Sequence, residues 1–253
     1  TLGFDPTIAL GPDLVVRWQT IALAAVIATV LTWSGLVARR VGLRADDLLS
    51  IVIAAVPGAV VAGRLAWIAA HPGVVQPNVW VWLDPTVGGL DLAAAVVGGI
   101  ASGAFIARLL GAPVGRWAHV LTVPLLLAIG AGKLSMLVGG SGQGLPTDVA
   151  WATAYLGEGP WGSLAASVPS HPAQVYEGLA TLALALVVAV GFGMGADSRA
   201  DGRVLLVAVA GWALIRAAVS VTWREPVVAE PLSAGGWIAV VVAVGLLASA
   251  VVI

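Results

Sequence analysis

Seven apolar runs of membrane-spanning length account for most of this chain, at 15–37, 48–70, 88–109, 115–139, 173–196, 203–222 and 234–253. A bilayer helix needs about 20 predominantly apolar residues, so each run is long enough to cross. Backbone placed in hydrocarbon must satisfy its own hydrogen bonds, which leaves helices or a closed barrel. The alternating ten-residue strands of a barrel do not occur here. The sequence therefore predicts an all-α integral membrane protein, a bundle of about seven transmembrane helices forming one membrane domain over 1–253. Only 10% of the residues are charged, against about 25% in ordinary soluble domains, which excludes a water-soluble fold.

Function classes fall away on similar grounds. A net charge of −1 with few, dispersed basic residues cannot build a phosphate-tracking stripe, so nucleic acid is excluded as a partner. There is no cysteine, which removes disulfides, thiol nucleophiles and thiolate metal sites. No His-x-x-x-His, paired carboxylates or Gly-rich phosphate loop is present, so neither a metal nor a cofactor is expected. Thr1 is not preceded by an initiator Met and Ile253 ends in apolar sequence, which leads to the expectation of further residues before the one and a polar tail after the other.

Threading the runs alternately through a bilayer collects Arg39, Arg40, Arg44, Arg108, Arg116, Arg199 and Arg203 on one side, and leaves Arg17 and Arg224 on the other. Cytoplasmic loops carry the Lys/Arg excess. The expected topology is therefore multi-pass in a cytoplasmic membrane, N-terminus outside and C-terminus inside. The segments 71–87, 140–172 and 224–233 then lie outside. Of these, 140–172 is too polar to span and too apolar for a free linker, and reads as a small extracytoplasmic cap. Trp80, Trp82, Trp151, Trp161, Trp223 and Trp237 fall where an interfacial aromatic belt is expected. Small residues at four-residue spacing, Gly99 with Gly103 and Gly58 with Ala62, predict close helix contacts.

Five ionisable residues fall within or at the mouth of the runs: Arg64, Asp91, Lys133, Glu177 and Arg216. A charge at the bilayer centre costs about 2.5–3.5 kcal/mol on insertion scales, so each is expected to face a partner or a cavity. All five map to the outer half. Three cations against two anions leave one positive charge unmatched, which an anionic phospholipid headgroup would balance. Arg64 and Arg216, with planar two-pronged donors, are the candidate phosphate clamp beside Lys133. The alternative is that the charges pair among themselves, Arg64 with Asp91 or Arg216 with Glu177.

The run 173–196 opens on His171-Pro172-Ala173-Gln174-Val175-Tyr176-Glu177. Together with Ala62-Gly63-Arg64, Gly130-Ala131-Gly132-Lys133-Leu134 and Gly211-Trp212-Ala213-Leu214-Ile215-Arg216, all in the same order, it resembles the bacterial prolipoprotein diacylglyceryl transferases. The resemblance implies transfer of the diacylglyceryl group of phosphatidylglycerol to the lipobox cysteine of a preprolipoprotein. It also implies catalytic roles for His171 or Glu177 and lipid contacts for Arg64, Lys133, Arg216, Tyr176 and Gln174.

Departures from the family pattern bear on activity. The histidine the family carries in span three is absent from Gly88-Gly89-Leu90-Asp91-Leu92-Ala93. Lys133 stands for an Arg, Met136 for an Asn, Ser141 and Ser220 for Glu, and Gln19 for a Tyr. Two readings stay open: a divergent active transferase, or a catalytically degenerate paralogue that binds lipid as a subunit of a larger membrane complex. A transporter unrelated to lipid transfer is a third, without an internal repeat to support it.

Overall fold

The computed structural model describes residues 5–11, 14–75, 79–82, 84, 87–155, 167–195 and 200–253. Trp161, Arg199 and the middle of the segment 140–172 lie outside these residues. Seven helices are long and apolar enough to cross a membrane. In chain order the helices are α1 (Trp18–Arg40), α2 (Ala45–Ala70), the short α3 (Pro72–Val75), α4 (Leu92–Leu109), α5 (Val114–Val138), α6 (Ala173–Gly193), α7 (Arg203–Val219) and α8 (Ala234–Val252). Among the described residues the only strands are two short antiparallel hairpins, β1 (Thr7–Ala9) with β2 (Val15–Arg17) and β3 (Val227–Ala229) with β4 (Leu232–Ser233). The protein is an all-α membrane bundle.

The helix boundaries follow local chemistry. Asp91 accepts a hydrogen bond from the Ala94 N–H at 2.8 Å and so caps α4, and Ser233 does the same for the Gly236 N–H at the start of α8; both are favoured N-cap residues. The first residues of the run 15–37 leave the helix to pair as β2, and residues 88–91 form the approach to α4.

Two kinds of packing hold the bundle. Helices α2 and α4 touch through their backbones: a Cβ on Gly58 would lie 2.4 Å from the Ser102 Cβ and 2.5 Å from the Gly98 carbonyl oxygen, and one on Gly98 would lie 2.3 Å from the Ala62 Cβ. Ser102 Oγ donates to the Ala54 carbonyl across the seam at 2.5 Å. Close approach of this kind is how helices associate where lipid supplies no hydrophobic drive. The second kind centres on α7, whose Val209, Ala210, Trp212 and Ala213 are fully buried among α4, α5, α6 and α8. Large apolar side chains such as Ile53, Val60, Leu186 and Val241 stay exposed, as lipid-facing residues do.

Between these two units runs an apolar groove of about 630 Å³, lined by residues of α1, α2, α4, α5 and α7, among them Ile51, Ala55, Gly99, Leu121 and Leu125. It extends from Leu92 and Ala128 toward the opposite end at Val114 and Leu205.

The ends of α2, α5 and α7 and the starts of α1, α4, α6 and α8 share one face of the bundle, and the chain after α5 folds over it. His171 and Leu145 are bonded to each other and to their neighbours: Gly144 N–H donates to the His171 carbonyl at 2.7 Å, His171 N–H to Leu145 at 3.0 Å, and Leu145 N–H to Thr222 at 2.7 Å. Thr153 and Ser170 exchange backbone bonds at 3.0 and 3.1 Å. This cap layer ties the segments around 144, 153 and 170 to the end of α7.

Candidate functional site

The approach of α5 to α6 decides where the site forms. A Cβ on Gly130 would lie 2.9 Å from Leu182 and 3.1 Å from the Gly178 carbonyl, and one on Gly178 would lie 3.0 Å from the Gly130 carbonyl. The two helices therefore cross with almost nothing between them. Lys133 sits one turn past Gly130, and Glu177 precedes Gly178, so the close crossing carries both charged groups to the same point.

There the Lys133 Nζ lies 2.8 Å from Glu177 Oε2. The Arg216 Nη1 reaches both oxygens of the same carboxylate, Oε1 at 3.3 Å and Oε2 at 3.2 Å. All three groups are buried, with side chains 13%, 1% and 8% exposed for Lys133, Glu177 and Arg216. The Arg216 guanidinium also lies over the Trp223 ring, 4.3 Å from its centroid, a cation–π contact that fixes its plane. Its Nε–H is buried and has no hydrogen-bond partner. Buried polar groups are rarely left so, and here the vacant donor belongs to a cation in a cluster with one surplus positive charge. Glu225, which is exposed, attracts Lys133 from outside the buried group.

These charges lie at a common depth. Lys133 is five residues short of the end of α5 at Val138, Glu177 four past the start of α6 at Ala173, and Arg216 three short of the end of α7 at Val219. At 1.5 Å per residue this is about 4–8 Å below the cap face.

Arg64 is engaged elsewhere. Its Nε donates to the Trp82 carbonyl at 3.0 Å, Nη1 to Val87 at 2.7 Å and Gly89 at 3.3 Å, and Nη2 to Asp84 at 3.0 Å. Its guanidinium stands 5.0 Å from the Trp67 ring centroid. The side chain thus fastens the loop between α2 and α4, while Glu177 joins Lys133 and Arg216. Of the two pairings considered from sequence, Arg216 with Glu177 is present, and Asp91 serves as the α4 cap.

The remaining predicted residues form a polar layer under the cap. His171 Nδ1 is 3.2 Å from the Tyr176 hydroxyl, which also accepts from Trp151 Nε1 at 2.7 Å. Gln174 Nε2 donates to the Tyr155 hydroxyl at 3.3 Å, and that hydroxyl donates to the Leu137 carbonyl at 2.7 Å. Burial pushes the Tyr155 phenol up to about 12, because its ionised form would lie away from water. Gln143 Nε2 donates to the Thr153 carbonyl at 2.9 Å, and Arg224 reaches Gly144 O and Ser170 Oγ, both at 2.7 Å. Neither Tyr155 nor Gln143 is conspicuous in the sequence, where Trp223 reads as part of the aromatic belt. A lone Tyr or Gln in a polar loop carries no local signal; Trp223, seven residues after Arg216 beyond a helix end, offered at most a weak one.

Positions that depart from the family pattern are satisfied locally. Ser141 Oγ donates to Gln19 Oε1 at 2.7 Å, Ser220 Oγ donates to the Ala217 carbonyl at 2.7 Å and lies against Gly236, and Met136 packs on Gly142. Among the described residues no three His, Cys, Asp or Glu side chains come together as metal ligands would.

The sequence profile of the prolipoprotein diacylglyceryl transferases matches residues 6–252. The chain belongs to this family. Curated relatives named phosphatidylglycerol–prolipoprotein diacylglyceryl transferase include one from Bordetella avium, 27% identical over 93% of this chain and 89% of its own, and one from Allorhizobium ampelinum, 27% identical over 92% and 82%. A Clostridioides difficile relative is 25% identical over 56% of this chain and 53% of its own. As a diacylglyceryl transferase family member with seven membrane-length helices, it is a multi-pass membrane protein, and the Lys133–Glu177–Arg216 cluster is buried among its membrane-length helices.

Proposed function

We propose that this family member transfers the diacylglyceryl group of phosphatidylglycerol to a cysteine thiol of a prolipoprotein, at the cap face, with the single membrane domain oriented N-terminus outside and C-terminus inside. The observation that carries this is the convergence of Lys133 and Arg216 on one carboxylate, which leaves a buried surplus positive charge and an unused Arg216 Nε–H. A phosphodiester supplies the matching charge and an acceptor oxygen. The acyl chains lie along the apolar groove, whose cap-side lining includes Leu92 and, on α5, Ala128, five residues and about 7.5 Å deeper than Lys133.

In the reaction the thiol sulfur attacks the glyceryl carbon and the carbon–oxygen bond to phosphate breaks. The electron pair passes to the leaving glycerol phosphate, and the thiol proton passes to a base. Lys133 and Arg216 stabilise the charge that develops on phosphate, the kind of fixed electrostatic support that contributes most in acyl and phosphoryl chemistry. Both Glu177 oxygens are engaged by cations, so Glu177 orients them. His171, hydrogen-bonded to Tyr176 at the entrance, is the better candidate base. The direct test is to incubate purified protein with phosphatidylglycerol and a lipobox peptide and look for the thioether product by mass spectrometry.

A second reading has an observation of its own. Ser220, Ser141 and Gln19, where the family pattern calls for other polar groups, are bonded to one another or to their own backbone, as in a lipid-holding paralogue that has lost chemistry. Stoichiometric co-purification of other membrane subunits, with no thioether formed, supports that reading over transfer.

A further inference from the structure

Building on the transfer reading, we propose that Glu177 sets the headgroup charge this pocket accepts: a phosphodiester with one negative charge fits, and a phosphomonoester with two does not. The groups in direct contact are two cations and one anion, with Glu177 Oε2 2.8 Å from Lys133 and 3.2 Å from Arg216. Their sum is one positive charge. In a site this buried any residual charge is costly, because water no longer screens it. A single diester brings the sum to zero, whereas a phosphomonoester, carrying about −1.5 to −2 at pH 7, overshoots it.

Glu177 is also fixed in place. It is 1% exposed, both its oxygens are held, and its neighbour Gly178 is wedged against α5. It cannot swing aside to make room for a second charge on the ligand. Of the other acids near the cluster, Glu225 is exposed, where solvent weakens its effect, and Asp91 is bound to the start of α4.

The consequence is directional. The substrate headgroup is a diester and the product, glycerol phosphate, is a monoester that gains a charge as the carbon–oxygen bond breaks. The pocket is neutral with substrate and overcharged with product, so Glu177 drives product out. It is a specificity-setting and positioning residue, acting through Lys133 and Arg216.

The test compares phosphatidylglycerol, phosphatidic acid and phosphatidylcholine binding to the full chain in detergent near pH 8, where a phosphomonoester is close to fully ionised, by competition in native mass spectrometry. The wild type is expected to favour phosphatidylglycerol over both others. E177Q, with two uncompensated cations, is expected to raise the phosphatidic acid to phosphatidylglycerol ratio at least about tenfold. K133Q/E177Q, returned to one positive charge, is expected to recover the wild-type ratio, and it carries the test if E177Q does not fold. A parallel fall in both anionic lipids in E177Q, or a preference for phosphatidic acid in the double variant, overturns the charge-setting role. If the wild type prefers phosphatidylglycerol to phosphatidylcholine but E177Q leaves the ratio unmoved, this inference alone fails. No preference over phosphatidylcholine in the wild type removes the headgroup reading with it.

Discussion

Arg216 and Glu177 lie 39 residues apart in the chain, yet one guanidinium nitrogen reaches both carboxylate oxygens at 3.2 and 3.3 Å. Because Glu177 also holds Lys133, one buried carboxylate ties α5, α6 and α7 together at the cap face. A structural tie and a ligand site thus share the same atoms.

Replacing Arg216 by Ala removes the surplus charge and the vacant donor together. Binding of phosphatidylglycerol is expected to fall at least about tenfold while phosphatidylcholine binding stays unchanged. Stability is expected to fall by about 1.5–3 kcal/mol, the worth of a hydrogen bond to a charged group, because Glu177 keeps Lys133 as its partner. R216K keeps the charge but loses the planar fork and the Trp223 stack, and should bind between the two. Lipid competition and thermal melting of the same samples measure both effects.

Arg64→Ala is expected to lower stability without changing lipid preference. Its guanidinium holds carbonyls of Trp82, Asp84, Val87 and Gly89, so the variant should lose about 1.5–3 kcal/mol of stability, the worth of a hydrogen bond to a charged group. The ratio of phosphatidylglycerol to phosphatidylcholine bound should hold. A collapse of that ratio at unchanged melting temperature would return Arg64 to the headgroup pocket.

Gly98→Ala is expected to destabilise more than Gly130→Ala. At Gly98 the new methyl meets the Gly58 carbonyl oxygen and the Ala62 Cβ, both at 2.3 Å, where only backbone movement relieves it; at Gly130 the nearest atoms, at 2.9 Å, are the movable end of Leu182. Overpacking costs about 1–3 kcal/mol or more. G130A should in addition weaken lipid binding, since it shifts Lys133 relative to Glu177, whereas G98A should not. Paired melting curves and lipid competition decide.

Tyr155 gives a pH test. Burial raises its phenol to about 12, from an ordinary value near 10. The folded-state value is the higher, so its contribution to stability is complete below about pH 10 and is lost as pH climbs from about 10 toward 12. Ultraviolet titration should show a late phenolate step that Tyr155→Phe abolishes. The variant also strips the Leu137 carbonyl of its donor and Gln174 of its acceptor, at a cost of about 1–3 kcal/mol.

Sequence alone determined the seven membrane-length helices and the all-α class, because apolar run length and the cost of bare backbone in hydrocarbon are local quantities. It also singled out Arg64, Asp91, Lys133, Glu177 and Arg216, since an ionisable group inside an apolar run is conspicuous wherever its partner lies. The resemblance to diacylglyceryl transferases was legible in the segment from His171 to Glu177. What pairs with what was decided only by tertiary structure. Gly130 against Gly178 brings Lys133 to Glu177, the cap end of α7 turns Trp223 onto Arg216, and the loop before α4 claims Arg64. Each of these depends on helix rotation and separation, which follow from contacts between residues far apart in the chain and leave no periodic trace in it.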